Sequence, residues 1–173
     1  MEKQLMEYKK IRRKQYYWII LFVVSLILLD QIIKQIVVQF LQEGSKVIIP
    51  NLLSFAITQN TGGAFGVGEG NIVMFIISNV VVLGIIIRFM ITQKEQMDTK
   101  TRVCLSLILA GGFSNLWDRI VRGYVLDFIR IPYVPNFNMA DMYIVVGWVA
   151  FCFIIAKYTF MEMKNKKKKK REI

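Results

Sequence analysis

The segment YYWIILFVVSLILLDQIIKQIVVQFL, residues 16–41, is almost entirely apolar. It is longer than the roughly 20 residues that a helix needs to cross the hydrocarbon core of a membrane. Polar and apolar residues do not alternate along it, which favours a helix over a strand. Comparable apolar segments occupy residues 72–90, 103–120 and 142–158. We therefore predict an all-α polytopic membrane protein with four transmembrane helices, because a soluble four-helix bundle would need a polar stripe on its helices.

Basic residues predict how these helices are oriented. They are concentrated in the two terminal tails, residues 1–15 and 161–173, and in the loop between the second and third apolar segments, whereas the first loop contains only Lys46. Cytoplasmic loops are enriched in Lys and Arg. Both termini and the second loop are therefore predicted to be cytoplasmic, with the first and third loops outside. Residues 1–173 are expected to form a single membrane-embedded domain.

The net charge of +11 and the lysine-rich C-terminal tail are compatible with two kinds of partner. A lysine run can bind nucleic acid, but beside a transmembrane helix the simpler partner is anionic lipid at the membrane surface. We therefore expect membrane lipid and no nucleic acid as partners. The sequence has no histidine, which removes Ser-His and Cys-His nucleophile pairs and the usual zinc ligand sets. We expect no metal and no cofactor.

Four aspartates, Asp30, Asp118, Asp127 and Asp141, lie within or beside the apolar segments. An ionisable residue inside a membrane span is costly and is therefore a candidate for function. With a rise of about 1.5 Å per helical residue, the predicted orientation puts all four in the outer half of the bilayer or at its outer surface. Asp30 and Lys34 are four residues apart, a spacing that also suits an ion pair within one helix.

Three patterns in the outer loops have structural explanations of their own. In the first loop, residues 46–58 are rich in β-branched residues and interrupted by Pro and Asn, which predicts a short hairpin. Gly62 and Gly63 in QNTGGAFG suit either a turn or the close approach of backbone to a ligand. In the third loop, Asn138 and Asp141 of NMAD resemble a helix capping box. The local pattern leaves both the capping and the catalytic interpretation of Asp141 open.

Without histidine or a metal, a pair of aspartates is the simplest source of hydrolytic chemistry. Two carboxyl groups that share a site do not both ionise readily, so one is protonated and the other is charged. The charged group can take a proton from water, which then attacks a carbonyl held by the protonated group. A proton-coupled carrier could use the same acids as a relay. The chemistry alone does not choose among the four aspartates.

The motifs DQIIK (30–34), NTGGAFG (60–66), NLWDRIVRGYVLDFI (115–129) and FNMAD (137–141) resemble those of signal peptidase II, the lipoprotein signal peptidase family of bacteria. The resemblance covers roughly residues 18–160. It implies an intramembrane aspartic endopeptidase, with a small β-rich extracytoplasmic cradle after the first helix.

The resemblance also implies roles for individual residues. Asp127 and Asp141 match the catalytic pair of the family. The residues implied to shape the site or bind substrate are Asp30, Lys34, Asn60, Gly63, Asn115, Arg119 and Asn138. Asn115 and Arg119 are expected to steady carboxylates and substrate carbonyls, and Asp118 is expected to be structural.

The family removes the signal peptide from diacylglyceryl-modified prolipoproteins by cutting just before the lipidated cysteine, and globomycin inhibits it. For this chain the resemblance implies such prolipoproteins as substrates and globomycin-type inhibitors as ligands. It implies a location in the bacterial cytoplasmic membrane, with the active site on the extracytoplasmic side. We expect a monomer, since one chain suffices for the site.

Two other functions remain as alternatives. A small proton-coupled carrier would have its charges near the bilayer midplane. An inactive homologue would be expected to lack Asp127 or Asp141.

The sequence departs from the family pattern at two positions and in one interval. Ser114 replaces the glycine that usually precedes the asparagine at position 115, and Ala110 replaces the first glycine of the same pattern. Ser114 is small enough to preserve helix packing. The interval from Asp127 to Asp141 is short for the family, which predicts a shorter outer loop over the substrate.

Overall fold

The computed structural model describes residues 2–41, 44–63 and 67–169, without the side chains of 2–5, 7–15 and 169. Its elements in chain order are α1 (Glu2–Leu41), β1 (Ser45–Ile49), β2 (Leu53–Asn60), α2 (Ile72–Thr92), α3 (Thr99–Arg122), β3 (Val125–Arg130) and α4 (Met139–Lys169). Each predicted apolar segment lies within one of the four helices. Residues 64–66 of the glycine-rich motif, the side chains of most of the basic N-terminal tail, and the last residues of the lysine-rich tail lie outside the described part.

Three helices within the described ranges are long and apolar enough to cross a membrane, through Tyr16–Leu41, Ile72–Thr92 and Met139–Lys168. They confirm three of the four predicted spans. Helix α3 has 24 residues but is less apolar, since it buries Ser106, Ser114, Asn115 and Asp118 along with its hydrophobic side chains. It packs against α1, α2 and α4, which makes it the central helix of the fold.

Close packing between α3 and α4 depends on two glycines. A Cβ at Gly111 would overlap the carbonyl oxygen of Ala140, at the start of α4. A Cβ at Gly147 would lie 2.7 Å from the carbonyl oxygen of Cys104. Backbone therefore meets backbone at both crossing points, and this contact determines how near the start of α4 lies to α3.

The sheet has three antiparallel strands in the order β1-β2-β3. The β1–β2 pair confirms the hairpin predicted in the first loop. The sheet also includes β3, which comes from the loop after α3 and whose pairing with β2 was not predicted. Thr58 pairs with Asp127, and Asn60 pairs with Val125. A small core that contains Val37 and Phe128 joins the sheet to α1.

The chain after β3 folds back over that strand before it enters α4. The N–H of Phe137 donates to the carbonyl of Ile129 at 3.1 Å, and the carbonyl of Phe137 accepts from the N–H of Phe128 at 3.1 Å. This return leaves Asn138 beside β3 and starts α4 at the next residue. The short interval between the two predicted catalytic aspartates is therefore a tight return along the strand.

Candidate active site

Asp127 and Asp141, the aspartates predicted to be catalytic, are joined through one asparagine. Asp127 lies on β3 with 1% of its surface exposed, and Asp141 lies half-buried in the first turn of α4. The side-chain amide of Asn138 donates to Oδ1 of Asp127 at 2.7 Å. The backbone N–H of Asn138 donates to Oδ2 of Asp141 at 3.1 Å. The fold therefore brings a strand residue and a helix residue to a common hydrogen-bond partner.

Two further asparagines complete the network around the carboxyl groups. The amide of Asn60, at the end of β2, donates to Oδ2 of Asp127 at 2.9 Å. The amide of Asn115, on α3, donates to Oδ1 of Asp141 at 2.8 Å. Each of the four carboxyl oxygens thus accepts one N–H. These contacts fix the orientation of both carboxyl groups, and among the described residues no cation forms an ion pair with either one.

The predicted capping box at the start of α4 is present. The N–H of Asp141 donates to Oδ1 of Asn138 at 3.0 Å, reciprocating the bond from the Asn138 N–H to the Asp141 carboxyl group. Capping satisfies N–H groups at the helix start that have no partner within the helix. The other oxygen of Asp141 is occupied by Asn115, so the capping geometry and a place in the shared network coexist.

Burial changes the acidity of Asp127. Loss of solvent, and secondarily the charge of Asp141, raise the pKa of Asp127 to about 7, although hydrogen bonds from Asn60 and Asn138 act in the opposite direction. Desolvation and a neighbouring carboxylate both disfavour a charged carboxyl group. Asp127 can therefore hold or release a proton near neutral pH.

A buried ion cluster lies beneath the two aspartates. Nζ of Lys34 lies 2.8 Å from Asp30 and 2.7 Å from Asp118, and all three side chains are fully buried. The predicted ion pair between Asp30 and Lys34 is thus present, and it faces protein. Arg122 pairs with Asp118 from the next turn of α3. The cluster joins α1 to α3.

Side chains of this cluster also hold backbone N–H groups next to the site. Asp30 accepts from the N–H of Ala140 at 3.0 Å, and Asp118 accepts from the N–H of Leu126 at 3.2 Å. The Ser114 hydroxyl donates to Asp30 at 2.6 Å. Ser114, expected only to preserve packing, therefore takes part in the polar cluster.

Arg119, in the last turn of α3, contacts the turn after β2 that contains Gly63. Arg119 donates to the carbonyl of Gly62 at 3.0 Å, and its guanidinium lies 5.3 Å from the ring centre of Phe75. Among the described residues Arg119 makes no hydrogen bond to either aspartate, so its direct contacts steady the loop after β2. The N–H of Gly63 donates to the carbonyl of Val67 at 2.9 Å, which closes the turn.

The two aspartates open into different cavities. Asp141 lines a cavity of about 610 Å³ whose other walls are mostly apolar residues of α4 and of the loop before it. Asp127 lines a polar cavity of about 180 Å³ bounded by β2 and the turn after it. Asn60, Pro135 and Asn136 line both.

Sequence reasoning missed Asn136, which separates the two cavities. Its amide donates to Thr58 on β2 at 2.6 Å. A polar residue next to FNMAD was the only signal, because the β2 partner follows from tertiary structure.

Comparison with known proteins agrees with this architecture. Residues 22–157 match a family described as Signal peptidase (SPase) II. The chain is 37% identical to a lipoprotein signal peptidase of Caldicellulosiruptor bescii over 152 residues, covering 88% of this chain and 98% of that protein. It is 35% identical to a lipoprotein signal peptidase of Listeria monocytogenes over 158 residues, 88% of this chain and 97% of the relative.

A solved structure, described as a bacterial membrane enzyme determined by the in meso method at 2.3 Å resolution, has the same fold. It superposes with a TM-score of 0.75 at 29% identity, over 82% of this chain and 88% of the other.

Proposed function

The chain belongs to the signal peptidase II family, and we propose that Asp127 and Asp141 are the catalytic pair with which it removes the signal peptide of prolipoproteins. The observation that carries this proposal is the asparagine network, in which Asn138 binds both carboxyl groups. Family membership overturns the proton-coupled carrier. The retention of both aspartates argues against an inactive homologue.

The reaction follows from one shared proton. Asp127, with its pKa raised to about 7, holds that proton and donates a hydrogen bond to the carbonyl oxygen of the scissile peptide. Asp141, ionised, takes a proton from a water molecule as the water attacks the carbonyl carbon. Asp141 then passes the proton that it took from the water to the leaving nitrogen as the C–N bond breaks, and the carbonyl re-forms as that of the new carboxylic acid. The asparagine donors hold the carboxyl groups in place during these steps, so that little reorganisation is needed.

The apolar cavity supports a lipid-bearing substrate. It runs from Asp141 along α4 past Met142, Ile144, Val145 and Val146. The part of a diacylglyceryl group or of a hydrophobic signal peptide that enters this cavity remains in an apolar environment. The cut falls just before the lipidated cysteine, and globomycin-type inhibitors bind at the same aspartates. One chain contains all of these groups, so a monomer suffices.

The proposal also includes the orientation of the chain in the membrane. Helix α3 also crosses the membrane, in addition to α1, α2 and α4. Both termini are cytoplasmic, and the sheet lies on the extracytoplasmic side of the bacterial cytoplasmic membrane. An even number of spans returns the chain to its starting side, which agrees with basic tails at both ends. The polar groups of α3 can lie within the bilayer because α1, α2 and α4 pack around this helix and separate those groups from lipid. The helices and the sheet form a single domain.

Cleavage by the purified full chain in detergent tests the catalytic pair. The substrates are a diacylglyceryl-modified prolipoprotein and the same protein without lipid. Asp127→Asn and Asp141→Asn are each expected to lower the rate at least about a thousandfold, as loss of a group that acts directly in catalysis does. Asp98→Asn is the matched control, since Asp98 caps α3 through Thr101 and asparagine caps helices equally well. Unreduced cleavage by either correctly folded site variant would contradict the proposal.

A further inference from the structure

The polar cavity beside Asp127 differs from the apolar cavity in its walls and its position. Polar side chains and backbone line it, from Thr58, Gln59, Asn60, Thr61, Glu69 and Asn136. It is bounded by the sheet and by the turn after β2, whereas the apolar cavity follows α4. The two cavities share Asn60, Pro135 and Asn136 as walls, so a substrate held between the aspartates would extend into both.

The direction of the substrate follows from its chemistry and rests on the proposed function. The signal peptide and the acyl chains are apolar and belong in the cavity along α4. The mature lipoprotein begins at the lipidated cysteine and leaves the membrane. Its first residues after the cysteine must therefore pass through a polar opening at the sheet, and the cavity beside Asp127 provides one.

Glu69 supplies the accessible charge in this opening. Among the described lining residues only Glu69 and Asp127 are ionisable, and Asp127 is 1% exposed whereas Glu69 is exposed. The turn that carries Glu69 is closed by the bond from the N–H of Asn71 to the carbonyl of Gly68 at 3.0 Å. Arg119, the nearby cation, is directed at the carbonyl of Gly62 and does not line the cavity.

We propose that the polar cavity beside Asp127 is the subsite for the residues that follow the lipidated cysteine, and that Glu69 makes this subsite prefer basic side chains over acidic ones. An exposed carboxylate attracts a nearby ammonium or guanidinium group and repels a carboxylate. The preference is modest, because water and salt screen charges at an open site.

A charge-reversal experiment tests the subsite. Three diacylglyceryl-modified prolipoproteins, identical except for Lys, Gln or Glu at the second residue after the cysteine, are cleaved by the full chain in detergent. Wild type is expected to show kcat/KM about threefold to fivefold higher for the Lys than for the Glu substrate, the range that an exposed charge pair allows. Glu69→Gln should abolish this preference, and Glu69→Lys should reverse it. Glu162→Lys, at an exposed position near the end of α4, is the matched control and should keep it.

Ionic strength provides a second readout. At about 1 M salt, where charges are screened beyond about 3 Å, the wild-type preference should largely disappear. Equal cleavage of the three substrates by wild type, or an unchanged preference in Glu69→Lys, would overturn the subsite while leaving the peptidase function intact. Failure of folded wild type to cleave any lipidated substrate would overturn both.

Discussion

Asp30 accepts a hydrogen bond of 3.0 Å from the backbone N–H of Ala140, the residue immediately before Asp141. Asp30 is in turn held by Lys34 at 2.8 Å. A fully buried ion pair of α1 therefore holds the start of α4, where one of the two proposed catalytic carboxyl groups is located. The side chains of the site are positioned through backbone as well as through direct contact.

Asp118 makes the equivalent contact on the other side of the site. It accepts from the N–H of Leu126, the residue immediately before Asp127, and pairs with the same Lys34. One buried ammonium group thus stabilises the two carboxylates that hold the backbone ahead of both proposed catalytic residues. The resemblance implied that Lys34 supports the site. In this geometry Lys34 would do so by stabilising the two carboxylates that bind the backbone next to the site.

Replacement of Lys34 by Met should strongly destabilise the protein. Two buried carboxylates would lose their shared cation, which costs about 3–5 kcal/mol, and cleavage should fall with the loss of fold. The free energy of unfolding in detergent measures the effect. Asp30→Asn/Lys34→Met removes one negative charge together with the cation and keeps an oxygen for the N–H of Ala140. The double variant should recover part of the loss, and equal stability of Lys34→Met and wild type would refute the importance of this ion cluster.

Ser114→Ala should lower the free energy of unfolding by about 2 kcal/mol, because a hydrogen bond to a charged, buried acceptor is worth more than one between neutral groups. Ser106→Ala is a matched control on the same helix. Its hydroxyl is equally buried but donates only to the carbonyl of Arg102, one turn earlier, so its loss should cost less than about 0.5 kcal/mol. Equal effects of the two substitutions would show that the bond from Ser114 to Asp30 contributes nothing specific.

Features encoded locally were predictable from the sequence. Apolar segments gave the helices, since a span is recognised from its own residues. Asn138 and Asp141 form the capping box that their spacing indicated. The hairpin followed from the β-branched residues and turn residues of the first loop. In each case the interacting groups are near one another in the chain.

Contacts between distant segments were not predictable from the residues alone. Asn60 and Asp127 are 67 positions apart and meet because β2 pairs with β3, and nothing in either strand specifies that register. Ser114 and Asp30 are 84 positions apart, so a substitution that looked like conservative packing turned out to supply a hydrogen bond. Helix α3 is a further example. Its polar residues are buried because three other helices pack around it, and that packing cannot be read from the residues of α3 alone.

The pH dependence of cleavage should report the shared proton. As pH rises through about 7, the pKa of Asp127, the pair loses that proton and kcat/KM should fall. The Asn60 amide donates to Asp127 and favours its charged form. Asn60→Ala should therefore raise the pKa of Asp127 and move the alkaline limb of the profile to higher pH. A limb at unchanged or lower pH would contradict this role of Asn60.

The stability of the protein should depend on the same proton, and in the same direction as activity. The folded protein keeps Asp127 protonated up to about pH 7, whereas an unfolded aspartate loses its proton near pH 4. The folded state therefore binds more protons between these values, so the free energy of unfolding should fall as pH rises from about 4 to about 7. Asp127→Asn should reduce this slope, as measured by denaturation at several pH values. An unaltered slope would mean that Asp127 is not the residue that titrates there.

Gly111→Ala should lower the rate of cleavage although Gly111 does not itself contact either aspartate. The new Cβ would overlap the carbonyl oxygen of Ala140 and press on Ile144, so the start of α4 must move away from α3 and carry Asp141 with it. Overpacking of this kind costs about 1–3 kcal/mol, and a small displacement of a catalytic group costs about a hundredfold in rate. Gly84→Ala is the matched control, because a Cβ there meets nothing within 4 Å, and it should leave cleavage unchanged. If Gly111→Ala cleaves as fast as Gly84→Ala, the contact of α3 with the start of α4 does not position Asp141.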